Sequence, residues 1–505
     1  MDGRLRASLG KIFRDEQISE EVSALIIYSR DLNPIGTIFT QQGRLMTKPD
    51  AVVWPDEIGQ IQELVKLANT YTIPLIPYGS GSGVCGGANP VGRGIIVDMK
   101  KMARIRKLDT YSLTAEVESG FIGELFEREL NAKGYTLGHF PSSIWCSTVG
   151  GWLAARSAGQ LSARYGKIED MVLGIEAVMP DGDILKTKVT PRSATGPDFK
   201  QVLVGSEGTL GIITAATLRI NPYPASRRFS GFMFHTVRDA LEAIRELMQT
   251  GVRPAAVRLY DEIDTFMIGS GKGSKKLLSH EQEDEHTEDF KKAIIKKAER
   301  MVLTVPTIVN RVIKLLPANN LLILTFEGAP DMTAVEMERA TRIMQSHGGR
   351  DMGEDPGKYW WEHRYDVSFN LSPLYSIRAF ADTIEVATTW DKLMSLYERM
   401  REAIGRHALV MAHFSHVYQE GGSIYFTFAA STYDESQKEA LYRQTWKDAL
   451  DTATDVGATI SHHHGIGMLK AQWMDKEHGK AMEIYRQLKK IVDPNNIMNP
   501  GKMGL

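Results

Sequence analysis

Hydrophobic positions in the first half of the chain recur with strand and helix periods in turn. A short helical lead is predicted over residues 1–46, followed by strands at 51–54 and 73–77 with a helix between them. The apolar face of that helix recurs every three or four positions: Ile58, Ile61, Leu64, Val65 and Ala68. The second strand runs directly into a glycine-rich turn. This order indicates an α/β unit whose loop faces a ligand.

The pattern changes after residue 225. Strand-like runs such as RRFSGFMFH, NLLILTFEG and SIYFTFAAS alternate with helical runs over residues 226–440. This alternation predicts a second, α+β domain with an antiparallel sheet, which follows a first domain at 47–225. Residues 441–505 are predicted to be mostly helical. The fold class is therefore α+β.

Composition excludes several classes of protein. With 43% hydrophobic and 24% charged residues, the 505-residue chain has the composition of a soluble globular protein, and we expect a cytoplasmic location. The 60 basic and 62 acidic residues balance to −2, which argues against general nucleic-acid binding. Two cysteines rule out a disulfide framework, and no zinc-type spacing is present. No apolar run approaches a membrane span, and the first residues lack the apolar region of a secretory signal.

The 45 glycines cluster in segments that point to a ligand. Three segments stand out: GSGSGVCGG at 79–87, STVGGWLAARSAG at 147–159 and GSEGTLGIIT at 205–214. Glycine loops allow several backbone N–H groups to face one anion and allow close approach. The first segment lacks the Lys-Ser/Thr ending of a P-loop and the dinucleotide-binding spacing. One such segment alone is as readily a plain turn, but three predict loops that wrap one large ligand.

These segments, with YGKIEDMVLGIEAVMPDGDILKT and the terminal DPNNIMNPGKM, resemble the vanillyl-alcohol oxidase (PCMH-type) flavoproteins. The resemblance implies a PCMH-type FAD-binding domain of two α/β subdomains, a cap domain, and a C-terminal segment that closes the flavin site. Neither Cys85 nor Cys146 lies in a pattern typical of a covalent flavin link, so noncovalent FAD is expected. The cofactor-binding residues that it implies are Pro77, Gly79, Ser80, Gly81, Ser82, Gly83, Pro141, Ser142, Ser147, Thr148, Gly150, Gly151, Ser157, Ala158, Gly159, Tyr165, Glu207, Gly208, Gly211, Ile212 and Ile213.

Within that family, SHHHGIGMLKAQW, RPAAVRLYDE and GSIYFTFAAS look most like the alkyldihydroxyacetonephosphate synthase branch. That branch exchanges the acyl chain of acyl-dihydroxyacetone phosphate for a fatty alcohol, without net oxidation by the flavin. The alternative is an FAD-dependent dehydrogenase of a 2-hydroxy acid or an alcohol. Those enzymes usually carry Glu-His-Gly where this chain has His463-His464-Gly465, and Tyr425 stands near the second His of their metal motif. A noncatalytic FAD-binding subunit is a third interpretation.

Candidate catalytic residues follow from the same motifs. Tyr425 lies in an alternating strand, where a packing role is the alternative. The resemblance implies that it takes a proton from substrate, which requires a lowered pKa that neighbouring histidines could provide. His462, His463 and His464 titrate near neutrality, and in an extended segment two of them would face the flavin pocket. A surface histidine run is the alternative. Arg258 is a candidate for the substrate phosphate or for shaping the site.

Two further residues are assigned to substrate. Arg364, in WWEHRYD, resembles the carboxylate-binding arginine of the hydroxy-acid dehydrogenases. His413 and His416 are three residues apart but lack a third ligand at clear spacing, so no metal is predicted and His416 is assigned to the pocket.

Residues 290–316 combine seven basic residues with apolar runs. They read either as cap-domain helices with solvated lysines or as an amphipathic element on an anionic membrane surface. The second interpretation makes the protein peripheral to the membrane. The expected partners are a small-molecule or lipid substrate and a second copy of the chain in a homodimer.

Overall fold

The computed structural model describes residues 3–265, 303–307, 310, 319–366, 374 and 377–505, which divide into two compact units. The first unit comprises Met1–Leu161, Tyr165–Tyr223 and His463–Leu505, and the second comprises Ser162–Arg164 and Pro224–His462. The helix Lys438–Val456 therefore belongs to the second unit, and the predicted segment 441–505 is divided between the two.

The first unit begins with the predicted α/β pattern. Its four-stranded sheet has the order Ile18–Ser19, Ala51–Val53, Ile95–Asp98 and Leu75–Tyr78, and the last three strands are parallel. Parallel strands are usually covered on both faces, and these are almost entirely buried. Between two of them the helix Ile58–Tyr71 buries the predicted face of Ile61, Leu64, Val65 and Ala68. The predicted order of strand, helix, strand and glycine loop is confirmed.

The rest of the first unit is a five-stranded antiparallel sheet with short helices. The strand order is Ile105–Asp109, Thr114–Glu118, Ile212–Arg219, Val172–Val178 and Ile184–Lys186. A two-stranded ribbon pairs Asn221–Pro222 with Tyr135–Thr136. The helices that lie in this unit, wholly or in part, are Gly3–Ile12, Val22–Ile27, Pro34–Gln41, Ile58–Tyr71, Gly123–Asn131, Val149–Ala155, Ser162–Tyr165, Ile168–Met171, Phe199–Leu203, Met474–His478 and Lys480–Val492.

The second unit is built on one antiparallel sheet, as its alternating strands predicted. Within the described chain its order is Arg350–Asp351, Ser226–Phe234, Asn320–Gly328, Ala256–Tyr260, Leu409–Val417, Gly421–Ala430 and Phe380–Thr389. The helices of this unit are Val237–Gln249, Pro330–Ser346, Asp355–His363, Trp390–Gly405 and Lys438–Val456. Across the described residues of both units, no helix combines the length and apolar character that crossing a membrane requires.

Strand register in the second unit aligns polar side chains on one face. Tyr260 is opposite His413, His413 is opposite Tyr425, and Tyr425 is opposite Glu385. Directly opposed residues share a face, and alternate residues of one strand do as well, so Arg258 lies on the face of Tyr260. We call Arg258, Tyr260, His413, Tyr425 and Glu385 the polar row.

Candidate active site and cofactor-binding segments

The three glycine-rich segments meet within the first unit. A Cβ atom placed on Gly79 would lie 2.4 Å from Oγ1 of Thr148, and one on Gly208 would lie 2.9 Å from Cγ of Pro77. One on Gly205 would lie 2.5 Å from Nε of Arg156. Because these separations are too short for a side chain, glycine lets the backbones of the three segments approach each other.

The loop at 79–83 offers backbone donors for a phosphate group. The carbonyl oxygens of Gly81 and Gly83 both accept from the Leu32 N–H, at 3.0 and 2.9 Å. In a planar trans peptide the N–H points opposite to the carbonyl, so the N–H groups of Ser82 and Val84 point away from Leu32. Such a pair of N–H groups suits an anion, and the loop therefore fits the pyrophosphate of FAD.

The second segment is fixed by its own hydrogen bonds. Thr148 precedes the helix Val149–Ala155, and its Oγ1 accepts from the Gly151 N–H at 3.3 Å. The Gly150 N–H donates to the Ser119 carbonyl at 2.7 Å, and the indole of Trp152 donates to Ser147 Oγ at 2.8 Å. The backbone at 147–151 is thus positioned before any ligand binds.

All of the predicted cofactor-binding residues lie in the first unit. Ser157 Oγ is 2.8 Å from Nε2 of buried His139, and the Tyr165 ring lies against Gly138. Ile212 is part of a hydrophobic core cluster, so its side chain serves packing. Pro141 closes a turn by accepting from the Ile144 N–H at 3.0 Å. The contacts of these residues with the cofactor stay predictions.

The buried carboxylate of Glu207 holds the segment that follows the three histidines. Oε1 accepts from the Ile466 N–H at 2.5 Å and Oε2 accepts from the Gly467 N–H at 2.8 Å. The amide of Asn499 donates to the carbonyls of Glu207 and Gly87, at 2.6 and 2.9 Å. Desolvation raises the pKa of Glu207, although these N–H groups and nearby lysines oppose the shift. The Glu207 side chain, which was predicted to bind cofactor, therefore positions the 465–467 turn.

The three consecutive histidines divide between the units. His463 and His464 belong to the first unit, where their rings meet edge to face at 4.4 Å. His462 belongs to the second unit, where its Nε2 is 2.9 Å from Oη of Tyr418 and its ring stacks on His416 at 5.0 Å. The backbone N–H of His462 donates to Glu385 of the polar row.

His416 faces a second polar partner in the same unit. Its Nδ1 is 2.7 Å from Oγ of Ser162. Ser461 Oγ donates to Glu385 at 2.7 Å, which ties the backbone next to His462 to the strand Phe380–Thr389. The structure thus brings His416 and His462 together, and the pocket role of His416 stays a prediction.

Hydrogen bonds link two residues of the polar row, Arg258 and His413, to Asp264 outside the row. Nη2 of Arg258 is 2.9 Å from Nε2 of His413, and Nδ1 of His413 is 3.1 Å from Oδ2 of Asp264. The His413 ring stacks on the Tyr425 ring with centroids 4.7 Å apart. Burial holds the pKa of His413 well below its ordinary value and raises the pKa of Asp264 to about 7. The imidazole at the centre of the row is therefore neutral at physiological pH.

The expected lowering of the Tyr425 pKa is wrong. Desolvation raises the pKa of this phenol to about 12, and its hydrogen bond with Thr383 and the charge of Arg258 only partly oppose that shift. The ring neighbour of Tyr425 is His413, which is neutral and gives a phenolate no charge stabilisation. Tyr425 is thus a protonated hydrogen-bond donor at neutral pH.

Arg364 is engaged by its own helix end. Its guanidinium stacks on the Trp361 ring at 3.8 Å and donates to the Trp361 carbonyl. Arg227 stacks on the same indole at 3.8 Å and pairs with Glu327. Burial lowers the pKa of Arg364. Its role in binding substrate stays a prediction.

Sequence reasoning missed Asp264 and assigned no role to His413. His413 could have been found from the hairpin, because the two strands pair it with Tyr425 across the turn. Asp264 lies outside any strand and carries no motif, so no sequence signal singles it out.

Comparisons with known families identify the family of this chain. The model of a family described as FAD binding domain matches residues 49–188, and that of FAD linked oxidases, C-terminal domain, matches residues 223–503. The second match alone covers more than half of the chain. The chain belongs to the FAD-linked oxidase family. This family member is an FAD-dependent enzyme, and the fit of the 79–83 loop to a pyrophosphate agrees with FAD as its cofactor.

This chain has several relatives that share one name. It is 30% identical to the alkyldihydroxyacetonephosphate synthase of Dictyostelium discoideum, over 98% of this chain and 80% of that one. The Trypanosoma brucei brucei enzyme of the same name is also 30% identical, over 92% of this chain and 74% of that one. A solved alkyldihydroxyacetonephosphate synthase superposes with a TM-score of 0.78 at 27% identity, covering 99% of this chain and 85% of that one. The resemblance to this branch is confirmed.

Proposed function

We propose that this enzyme exchanges the acyl chain of acyl-dihydroxyacetone phosphate for a fatty alcohol. The observation that carries the proposal is the polar row, which places Arg258 and Tyr425 on the same face of the sheet, one strand apart on either side of His413. A cation and a neutral proton donor are the groups that a phosphate ester with a departing acyl chain needs. Two relatives named alkyldihydroxyacetonephosphate synthase, which match 98% and 92% of this chain, support the same activity.

The reaction balances without an external oxidant. The bond between C1 of the dihydroxyacetone phosphate and the acyl oxygen breaks, and a bond from C1 to the alcohol oxygen forms. The fatty acid leaves as a carboxylate, and the proton of the alcohol passes to the protein and then to water. When bound, FAD supplies the electrophilic ring system that lets one chain leave and the other enter without net oxidation.

The residues of this chain have separate tasks. Arg258 binds the phosphate group. Tyr425 donates a hydrogen bond to a substrate oxygen, because a phenol whose pKa is about 12 keeps its proton at neutral pH. The base that accepts the proton of the alcohol is a histidine of the 462–464 group, since imidazole titrates close to neutrality.

Product analysis tests this function. The purified holoenzyme is incubated with acyl-dihydroxyacetone phosphate and isotope-labelled hexadecanol, and alkyl-dihydroxyacetone phosphate and free fatty acid are quantified by mass spectrometry. Equal amounts of the two products are expected, with an unchanged flavin spectrum. Anaerobic bleaching of the flavin by D-lactate or another 2-hydroxy acid, without alkyl product, would instead establish the dehydrogenase.

The proposal extends to noncovalent FAD, a homodimer and peripheral membrane association. Residues 290–302, 308–309 and 311–316 of the basic, apolar segment lie outside the described residues. Leu303, at 5% exposure, packs with Ile377, Ala379, Ala381 and Ala429, so this residue serves the core of the second unit. Light scattering measures the mass in solution, and acid precipitation that releases the FAD checks its noncovalent binding. Co-sedimentation with anionic vesicles at low and high salt checks the membrane contact.

A further inference from the structure

Among the residues that the structure describes, no carboxylate acts as a direct counter-ion for the guanidinium of Arg258. Within the described part of the chain it makes no ion pair with a carboxylate, and its buried Nε has no hydrogen-bond partner. The carboxylate of Asp264 is linked to it only through the His413 ring. A buried, unpaired donor is costly unless a ligand completes it.

The hydrogen-bond directions in this link are fixed. A guanidinium only donates, so Nε2 of His413 accepts from Arg258. Nδ1 of the neutral ring therefore carries the proton and donates to Oδ2 of Asp264. Asp264 selects the tautomer, and that tautomer presents a lone pair to Arg258. The face of Tyr260, with its centroid 5.2 Å from the guanidinium carbon, restricts the arginine further.

Arg401, another buried arginine of the same unit, differs from Arg258 in how its charge is balanced. Arg401 pairs directly with Glu262 at 2.6 Å and lies 3.9 Å from Asp261. Its charge is balanced by protein carboxylates, which suits a structural role. Arg258 contacts a neutral imidazole where Arg401 contacts carboxylates. An incoming anion is therefore attracted more strongly by Arg258, because no adjacent negative charge opposes it.

We propose that His413 and Asp264 are positioning residues that orient Arg258 toward the phosphate group of the substrate without neutralising its charge. This inference rests on the proposed function for the identity of the substrate, but the anion site itself can be tested without turnover. The chemistry recognised is a phosphate monoester, because one guanidinium offers parallel N–H donors to two of its oxygens.

Two substitutions at His413 separate orientation from packing. His413→Phe keeps a ring against Tyr425 but removes both hydrogen bonds. His413→Gln keeps an acceptor for Arg258 and a donor for Asp264 in one amide. His407→Phe is the matched control, because it removes a similar His–Asp hydrogen bond, 2.7 Å to Asp448, that does not involve Arg258.

Calorimetry measures the affinity of each holoenzyme for dihydroxyacetone phosphate and for inorganic phosphate, and assays give KM and kcat. We expect His413→Phe to weaken both ligands about ten-fold and to raise KM more than it lowers kcat. His413→Gln should stay within about three-fold of the parent, and His407→Phe should match the parent. Asp264→Asn still accepts from Nδ1 and removes a negative charge, so its affinity should be no weaker than that of the parent.

Several results would overturn the inference. These are parental affinity in His413→Phe, equal losses in His413→Gln and His413→Phe, or a ten-fold loss in Asp264→Asn. Phosphate affinity in Arg258→Met equal to that of the parent would also overturn it. If binding depends on Arg258 and His413 but no alkyl product forms, the proposed function fails and the inference stands. Should His413→Phe fail to fold, His413→Leu, which also removes both hydrogen bonds, takes its place in the comparison with His413→Gln.

Discussion

The two units provide their candidate binding groups in different ways, one with backbone groups and the other with side chains. In the first unit the groups that fit FAD are backbone N–H groups in glycine segments. These segments lie so close together that a Cβ atom added to Gly79, Gly205 or Gly208 would be 2.4–2.9 Å from a neighbouring atom. In the second unit they are side chains at fixed register on adjacent strands, joined by hydrogen bonds between residues about 150 positions apart in the sequence.

This difference predicts different responses to mutation. A site made of backbone groups depends on the absence of side chains at its glycines. Adding a methyl group to such a glycine therefore damages the site, whereas changing a nearby polar side chain has a smaller effect. A side-chain site on a rigid sheet tolerates the loss of one functional group without unfolding, but its chemistry suffers. The following predictions test whether binding and chemistry are divided between the units in this way.

The largest effect is expected from Tyr425→Phe. The substitution removes one hydroxyl group from the polar row and keeps the ring that stacks on His413. Alkyl transfer should fall about 10²–10⁴-fold while FAD content and melting temperature stay near those of the parent. Product formation measures the alkyl transfer, flavin absorbance measures the FAD content, and thermal unfolding gives the melting temperature. Activity within about two-fold of the parent would assign Tyr425 to packing.

Gly81→Ala should damage the backbone site. Gly81 has a φ of +67°, and an added Cβ would lie 2.0 Å from Oη of Tyr78. The left-handed conformation and the overlap together cost about 2–5 kcal/mol, and FAD occupancy should fall with stability. Gly43→Ala is the control, because Gly43 has a φ of +70° and open space around it, so only about 1–2 kcal/mol of strain is expected. Thermal unfolding and absorbance at flavin wavelengths distinguish the two variants. Equal behaviour would contradict the role of the overlap.

Glu207→Gln should have the smallest effect of the three. In the same orientation an amide places its NH2 group where one carboxylate oxygen accepted, so either the Ile466 or the Gly467 N–H loses its acceptor at a cost of about 1–3 kcal/mol. The segment at 463–468 should become more sensitive to limited proteolysis. Glu57→Gln, at an exposed helix start without a side-chain cap, should change stability by less than about 0.5 kcal/mol. Parental protease resistance in Glu207→Gln would show that this carboxylate does not hold the turn.

Local patterns in the sequence were enough to predict the secondary structure, the ligand-binding segments and the family. Hydrophobic spacing gave the helix Ile58–Tyr71 and the antiparallel sheet after residue 225, because helices and strands bury their apolar faces with different periods. Glycine segments indicated a large ligand, because close backbone approach excludes side chains at those positions. The sequence motifs indicated the family and, through the family, FAD as the cofactor.

The contacts and the protonation of the site residues, in contrast, depend on the folded chain. Asp264 meets His413 across 149 positions, and Glu207 meets Ile466 across 259, so no local pattern contains either contact. The sequence also suggested a lowered pKa for Tyr425, whereas burial raises it to about 12. Desolvation depends on everything packed around a group, and strand register depends on which distant segments pair. Both are collective properties of the folded chain, which is why they could not be predicted residue by residue.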